Sequence, residues 1–588
     1  MATKAQAKYK GDSRRLLLAF DIGTTFSGIS YSILDPGRIP EIRPVTRFPS
    51  QERVGGDNKI PTVIYYNAAG KPVAFGAETL KEGIEADAEE SGWVKAHWFK
   101  LHLRPQPAPG TAASETPIPP LPPRKTVIDV FKDYMGYLLK CAKAYIEDTH
   151  GSIVWNSVKD NIMYVLTHPN GWGGPQQAQM RDAAVRAELI PDTVEGRERV
   201  TFVTEGEASL HFCLSNGLAI HANDENSGVL IVDAGGGTID ITAYRRLADK
   251  SFEEISIPTC YFQGGIYVTM RAEKHFKSLL RRTRFEHDVP VLTTKFDRST
   301  KHVFKNVDEP HHIQFASIRE RDQALNIRGG RITVEGNVIS TFFEPSVTCV
   351  VKAINEQRTS AHFPIKSVFL VGGFSASNWL YEQVRDAIQP LGITVSRPDT
   401  HVNKAVSNGG VSFYLDGVVT SRVSRYTYGI RICNRYNPEK EEHLQRAHLV
   451  ETHSVHGGKI LDNIFSPILH VNTRVNETKE FRGSYCCYGT DINSLKSYTA
   501  RILSYSGPSQ GPMWIKEEPD NYDVVCTVEA DTSAVKPDLT YSEEKKTYYC
   551  NLAFEIVLLF GLTELKAQIA YRENGVEKRG PAQVMYGA

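Results

Sequence analysis

An apolar strand that ends in Asp-x-Gly and turns back through threonine occurs twice in this sequence. The first copy runs from Leu16 through Asp21 to Gly28, and the second runs from Val229 through Asp233 to Asp240. Each copy predicts a buried strand with a carboxylate at its end, followed by a tight turn. Glycines in such a turn let backbone N–H groups approach an anion with no Cβ in the way. Two such turns that face one another would clamp a nucleotide polyphosphate and its metal.

The two turns supply the groups that a metal-bound triphosphate requires. Asp21 and Asp233 are suited to hold Mg²⁺ through the waters that this ion retains, and Asp240 could polarise a water molecule. Hydroxyls and exposed amides complete the candidate phosphate site, which comprises Gly23, Thr24, Thr25, Gly235, Gly236, Gly237 and Thr238. A single Asp-x-Gly-x-Thr segment is more often an ordinary turn. The prediction therefore depends on both copies together.

A third glycine-rich break follows another predicted strand, Ser367 to Val371. Gly372 and Gly373 interrupt this strand, and Phe374 and Ser375 then lead into a helix predicted from Ser377 to Ile388. Paired glycines at this position would let a flat adenosine lie against the backbone. The third break strengthens the case for a nucleotide site.

Composition excludes several other classes of protein. With 588 residues the chain is expected to form two to four domains or subdomains. Its 68 basic and 68 acidic residues balance, so neither nucleic acid nor a membrane surface is an expected partner. Apolar runs are too short to span a bilayer. The nine scattered cysteines favour a reduced, cytoplasmic setting, with a nuclear one not excluded.

Strands alternate with helices up to about residue 418, which predicts an α/β fold. Helices are expected at Thr126 to Ile146, Pro175 to about Leu189, Ile266 to Leu280, Pro345 to Gln357, and Asn403 to about Tyr414. The segment between Arg281 and Ile332 shows only a weak pattern. Beyond residue 419, short alternating runs predict a β-rich region at Tyr426 to Cys433, Ala447 to Val450, Ser497 to Ser504, Val524 to Val528, Asn551 to Leu559 and Ala567 to Tyr571.

A proline-rich insertion interrupts the α/β region at residues 103–124. Its end, Pro119 to Arg124, has the P-x-x-P-x-R spacing that a Src-homology 3 domain could bind as a polyproline II helix. Such spacings are frequent in proline-rich loops, so a stiff spacer is the favoured interpretation.

Taken in order, the three motifs resemble the phosphate-one, phosphate-two and adenosine motifs of the actin-like ATPases, and most closely those of the 70-kDa heat-shock protein family. Supporting stretches are Ile60 to Val63, Thr167 to Pro169 with the helix after it, Gly264-Gly265, and Asn403 to Gly410. The resemblance covers about residues 16–418. It is closest to a divergent, lid-less branch, the large atypical heat-shock-70-like proteins of animals and fungi.

The resemblance implies two duplicated ribonuclease-H-like lobes around a cleft that binds ATP or ADP with Mg²⁺, plus the β-rich C-terminal region. The implied boundaries are a tail at 1–15, lobe I at 16–227, lobe II at 228–402, a helix returning to lobe I at 403–418, and the β-rich region at 419–588. The family's catalytic glutamate matches Glu205, and its active-site lysine matches Lys100. Catalysis would then involve Lys100, Glu205, Asp233, Thr238 and Asp240, while Phe26, Gly264 and Gly265 join the nucleotide-binding residues.

The sequence also departs from the main family. Phe26 stands where that family has a tyrosine, and no segment between Arg281 and Val307 matches its charged adenine-binding helix. Three functions stay open: a slowly hydrolysing, chaperone-like ATP switch that binds unfolded polypeptide or co-chaperones, a sugar or polyol kinase of the same fold, and a non-hydrolysing scaffold. Phosphoryl transfer to an acceptor would distinguish the kinase from the switch.

Overall fold

The computed structural model describes residues 7–54, 59–105, 118–216, 226–398, 404–476, 478–509, 511, 513–560, 564–581 and 583–584. Contacts divide the chain into two compact units. The first comprises Met1–Trp172 and Gln179–Val419, and the second comprises Gly173–Ala178 and Thr420–Ala588. Residues 106–117 of the proline-rich insertion and the start of the helix expected from Asn403 lie outside the described residues. No helix among the described residues is long and apolar enough to cross a membrane.

Lobe I of the first unit is built on one mixed sheet. Its strands and helices are β1 (Arg15–Ile22), β2 (Phe26–Leu34), β3 (Arg43–Pro44), β4 (Ile60–Pro61), β5 (Val63–Tyr66), β6 (Pro72–Phe75), β7 (Val94–His97), β8 (Ile162–His168), β9 (Val200–Thr204), α1 (Ile84–Glu90), α2 (Val127–His150), α3 (Ser152–Val158), α4 (Gly174–Arg186), α5 (Val194–Arg197) and α6 (Glu205–Ser215). The main sheet has the order β3-β2-β1-β8-β9, with β4 paired to β2. Leu16 to Phe20 are completely buried in β1, as expected for a strand covered on both faces.

Lobe II repeats this arrangement. Its elements are β10 (Gly228–Ala234), β11 (Ile239–Arg246), β12 (Phe252–Glu254), β13 (Thr259–Tyr261), β14 (His311–Gln314), β15 (Arg321–Asp322), β16 (Ile327–Arg328), β17 (Arg331–Val334), β18 (Ile365–Val371), β19 (Thr394–Ser396), α7 (Gly265–Leu279), α8 (Val289–Lys295), α9 (Lys301–Val303), α10 (Gly336–Ser360) and α11 (Asn378–Ile388). Helix α12 (Ala405–Asp416) follows and packs against α6, β1 and β2 of lobe I. The main sheet runs β19-β18-β10-β11-β12.

The two main sheets have the same plan, which confirms the duplication. In each, the central strand pairs antiparallel with the next strand along the chain and parallel with a later strand: β1 with β2 and β8, and β10 with β11 and β18. Both phosphate-turn carboxylates, Asp21 and Asp233, therefore stand at the ends of central strands.

The sequence placed the start of α2 correctly. Thr126 caps α2, where its hydroxyl accepts a hydrogen bond from the Asp129 amide at 3.2 Å and the Asp129 carboxylate accepts one from the Thr126 amide at 2.9 Å. This reciprocal pair is a capping box with aspartate in place of glutamate.

Three expectations about secondary structure were wrong. The weakly patterned stretch after Arg281 contains α8, a π-helical turn at Phe296–Thr300, α9 and a four-stranded sheet. Helix α10 begins nine residues before Pro345, at Gly336, because Ile339, Phe342 and Phe343 continue its buried face. Ala447–Leu449 forms a 3₁₀ turn rather than a strand.

The second unit is the predicted β-rich region. Its elements are β20 (Val419–Val423), β21 (Thr427–Arg435), α13 (Glu441–Leu444), β22 (Glu451–Thr452), β23 (Lys459–Leu469), β24 (Arg474–Asn476), β25 (Glu480–Gly489), β26 (Ser497–Tyr505), β27 (Tyr522–Asp531), β28 (Asp538–Ser542), β29 (Thr547–Phe560), β30 (Leu565–Glu573), β31 (Val576–Arg579) and β32 (Gln583–Val584). Its two larger sheets have the orders β22-β23-β21-β26-β27 and β25-β29-β30-β31. They share one apolar core that includes Ile430, Ile502, Ile556 and Ile569.

Candidate functional site

Both phosphate turns open into one cavity of about 570 Å³ in the first unit. Asp21 and Asp233 line it together, so the two acidic turns do converge. The other residues singled out from the sequence that line it are Gly23, Thr24, Thr25, Phe26, Lys100, Glu205, Gly235, Gly236, Gly237, Thr238, Gly265, Gly372, Gly373 and Phe374. The volume lies in the range typical of small-molecule sites.

The turns of the two lobes touch each other directly. A Cβ added to Gly236 would lie 2.3 Å from the Thr25 hydroxyl oxygen, and one added to Gly237 would lie 2.3 Å from that of Thr24. Real Cβ contacts of this length do not occur, so only glycine permits the approach. The glycines predicted for anion binding therefore also set the spacing between the lobes.

We expect Gly236→Ala to weaken nucleotide binding at least about tenfold, because the new methyl group forces Thr25 and its turn away. Thr25 is β-branched and short, so it cannot swing aside as a long side chain would. Isothermal titration with ADP and Mg²⁺ measures the effect. Gly136→Ala is the control, since a Cβ at Gly136 meets nothing within 4 Å; equal affinities for the two variants would contradict the prediction.

Lys100 and Glu205 form a buried ion pair at the cavity wall. The Lys100 Nζ atom donates to Glu205 Oε1 at 2.6 Å, and the Lys100 side chain is only 3% exposed. A 3₁₀ turn at Phe99–Leu103 carries Lys100, and Glu205 is the first residue of α6, whose N-cap is Thr204. The Trp172 ring lies 5.5 Å from the ammonium group. Packing from several elements thus fixes both charged groups.

Lobe II contributes two buried carboxylates that face each other across the hairpin. Asp233 and Asp240 are register partners in β10 and β11. Burial, followed by the charge of Glu205, raises the pKa of Asp233 to about 8 and that of Asp240 to about 7. Ser209 donates to Asp233 at 2.8 Å, and the Asn170 amide donates to Asp240 Oδ1 at 2.6 Å. This side of the cavity is short of positive charge.

Lobe I contributes a lysine that the sequence analysis missed. The Nζ atom of Lys59 donates to Asp21 Oδ2 at 2.6 Å, and Lys59 lines the same cavity. Burial alone would lower the pKa of Lys59, but the charges of Asp21, Asp233 and Glu205 outweigh it and raise the pKa. No local pattern marks Lys59, because its partner lies 38 residues away.

The third glycine motif forms another part of the cavity wall, next to Asp233. Gly372 has a φ of +86°, and a Cβ there would lie 2.2 Å from Asp233 Oδ1, so this position excludes other residues. The cavity is also lined by Asp297, Arg298, Lys301 and His302, from the π-helical turn and α9. A charged helical segment does therefore line the cavity, although no match was found in the sequence. The sequence feature that could have indicated this helical segment is the i,i+4 spacing of Asp297 and Lys301, which form an ion pair.

Three predicted site residues do not line the cavity but lie immediately behind it. Asp240 is completely buried behind the lobe II turn. Gly264 precedes α7, where a Cβ would lie 2.6 Å from the Gly236 carbonyl oxygen. The Ser375 hydroxyl donates to the Gly372 carbonyl at 2.6 Å. Each of these residues supports a lining turn.

The donor set fits a hydrated divalent cation. Among the described residues, no three His, Cys, Asp or Glu side chains are placed to hold a metal together. Mg²⁺ however keeps several waters and needs only one or two carboxylates. When all four carboxyl groups are ionised, Asp21, Asp233, Asp240 and Glu205 carry two more charges than Lys59 and Lys100 neutralise, and a divalent cation would balance this excess. Within the described part of the chain, Asp240 Oδ2 is buried with no well-formed hydrogen bond.

The first unit has the actin-like ATPase fold. Its two duplicated sheets each have an acidic hairpin at the centre, and the turns of both hairpins line one cavity. A β-rich unit follows it in the chain. Proteins with similar sequences point to the same fold.

Heat shock 70 kDa protein 12A of Homo sapiens is 22% identical over 506 residues, which cover 72% of this chain and 72% of that protein. The 12A protein of Mus musculus matches equally well. Heat shock 70 kDa protein 12B of Homo sapiens is 23% identical over 564 residues, or 80% of this chain and 78% of that protein. No protein-family model matches the chain. These relatives confirm the resemblance found in the sequence: the chain is related to the divergent heat-shock-70-like proteins.

Proposed function

We propose that the first unit binds ATP and ADP in the shared cavity, hydrolyses ATP slowly, and works as a nucleotide-dependent conformational switch. The observation that carries this proposal is the convergence of both glycine-threonine turns and the Lys100–Glu205 pair on one cavity. The relationship to heat-shock-70-like proteins supports it. Fold alone would not, because one fold hosts many functions.

The phosphate groups would lie between the two turns. Amides of Gly235 to Gly237 and hydroxyls of Thr24 and Thr25 are the available donors. Mg²⁺, held by Asp21 and Asp233 through its waters, would supply neutralisation of phosphate charge. The two acidic strand ends are rigid because both lie in the centres of sheets, which favours a preorganised site.

Hydrolysis would use the buried ion pair. Glu205 is anchored by Lys100 and is the carboxylate best placed to accept a proton from a water that enters the cavity. The Lys100 ammonium group, which donates to Glu205, would help to orient that water. A fixed pair of this kind holds its geometry without reorganisation during the reaction.

Adenosine would lie against the third glycine motif. Gly372 and Gly373 contribute backbone to the cavity wall, and Arg298 and Lys301 contribute long side chains to it. Burial by itself would raise the pKa of Asp297, but Lys301 and Thr269 outweigh it and lower the pKa. Asp297 therefore stays ionised and fixes Lys301 near the base and ribose.

We further propose that the second unit binds unfolded polypeptide. It contains a cavity of about 1020 Å³ whose wall includes Tyr485, Tyr498 and Phe554. Aromatic rings of this kind offer large apolar contact area together with hydroxyl groups. Charged residues such as Arg431 and Glu577 stand in the same wall.

Isothermal titration of the full chain with ATP and ADP in Mg²⁺ tests nucleotide binding. We expect one site with a dissociation constant below about 1 mM, and the absence of any binding heat at millimolar nucleotide would refute the proposal. A parallel assay adds sugars and polyols to ATP. We expect no acceleration of ADP release, whereas acceptor-dependent release would support a kinase, which the relatives do not favour.

A further inference from the structure

The duplicated hairpins of the two lobes differ in the residue that pairs with the strand-end carboxylate. In lobe II, Asp233 is paired across the hairpin with a second carboxylate, Asp240. In lobe I the corresponding partner of Asp21 is Gly28. Lobe I therefore lacks one negative charge, and it leaves open the space that a side chain at Gly28 would fill.

Lys59 occupies that space. A Cβ added to Gly28 would lie 3.4 Å from both Cγ and Cε of Lys59, so the aliphatic stem of the lysine lies along the glycine. Its ammonium group then reaches Asp21 at 2.6 Å. Asp233 and Glu205 are close enough to act on it electrostatically. Where lobe II has an extra carboxylate, lobe I has a lysine.

This lysine differs from an ordinary buried ion pair. Lys125 and Asp133 form a similar pair at 2.8 Å, and the two lysine side chains are almost equally exposed, at 16% for Lys59 and 17% for Lys125. Lys59 lines the cavity, however, and Lys125 does not. A lysine ammonium group is a compact point charge with three donors, which is well suited to a phosphate oxygen. Comparing the two lysines therefore separates a role in the cavity from a role in folding.

We propose that Lys59 is a built-in cation of the phosphate site, which lets the chain bind the phosphate groups of a nucleotide partly without a divalent metal. The inference rests on the proposed nucleotide site and adds a residue and a metal dependence to it. Lys59 needs only a small movement to share its three N–H donors between Asp21 and a phosphate oxygen. Asp21 then serves to position Lys59 as well as any bound metal.

The test compares ADP affinity in excess Mg²⁺ and in EDTA, by isothermal titration of the full chain and of Lys59→Met, Lys59→Arg and Lys125→Met. In EDTA we expect Lys59→Met to bind ADP at least ten times more weakly than the wild type. Lys59→Arg retains the positive charge on a bulkier group, so in EDTA it should bind ADP more tightly than Lys59→Met. Lys125→Met should match the wild type in both buffers.

Equal affinities of the wild type and Lys59→Met in EDTA would overturn this inference and leave the nucleotide site intact. Absence of ADP binding by the wild type even with Mg²⁺ would refute the proposed function, and the inference with it. A second measurement needs no variant: amine labelling of the wild type, read by mass spectrometry. ADP in EDTA should slow the labelling of Lys59 relative to Lys125, and equal labelling with and without ADP would also overturn the inference.

Discussion

Glu205→Gln is expected to slow ATP hydrolysis about 10²- to 10⁴-fold, the usual contribution of a positioned general base. The amide keeps the size of the carboxylate and can still contact Lys100, which lies 2.6 Å from Glu205 in the native chain. It cannot accept a proton from water. Nucleotide affinity should therefore change little, within about threefold. A single-turnover assay with excess enzyme measures the chemical step, and titration with ADP measures affinity.

The control for this prediction is Glu253→Gln. Glu253 also forms a buried ion pair, with Arg245 at 2.6 Å, but it lies outside the cavity. Both variants neutralise one partner of a buried pair, and both should lose some stability for that reason. Only Glu205→Gln should lose turnover. Equal turnover in the two variants would contradict a catalytic role for Glu205.

Gly409→Ala is expected to destabilise the first unit by about 3 kcal/mol. A Cβ on Gly409 would lie 1.8 Å from the Ala208 carbonyl oxygen, which is backbone of α6 and cannot rotate away. Helices α12 and α6 would have to separate. Because α6 begins at Glu205, the same shift should disturb the Lys100–Glu205 pair. Hydrogen–deuterium exchange of the full chain should therefore become faster in both helices.

Gly136→Ala is the matched control, since it makes the same change inside α2 where a Cβ meets nothing within 4 Å. Alanine is the better helix former by up to about 1 kcal/mol, so this control should be neutral or slightly stabilising. Exchange rates in α6 and α12 that are the same for Gly409→Ala as for Gly136→Ala would show that the close helix contact does not exist.

Several features of the site could be predicted from sequence because their signals are local. The strand ending in Asp21 and the strand ending in Asp233 are apolar runs followed by turn residues, and both occur as predicted. The glycine pair in the Asn403 to Gly410 stretch was noted from sequence. The structure adds its physical reason, the close crossing of α12 over α6 at Gly409.

Other features had a local signal too weak to reveal them. The π-helical turn at Phe296–Thr300 breaks the regular period, so a pattern search found no helix there. The sequence pattern predicts the start of α10 near Pro345, yet a long buried face that begins at Gly336 continues through the proline.

The sequence by itself determined the two acidic hairpins, the third glycine break and the change to β structure after about residue 419, because periodicity and turn chemistry act over a few neighbouring residues. Only the tertiary structure decided that Lys59 pairs with Asp21 and that Asp297, Arg298 and Lys301 line the same cavity. These partners lie far apart in the chain, and a lysine has the same local pattern whether it faces water or a buried carboxylate. A lysine that faces water differs from one that faces a buried carboxylate in its burial and in the charges around it, and only the folded chain defines these.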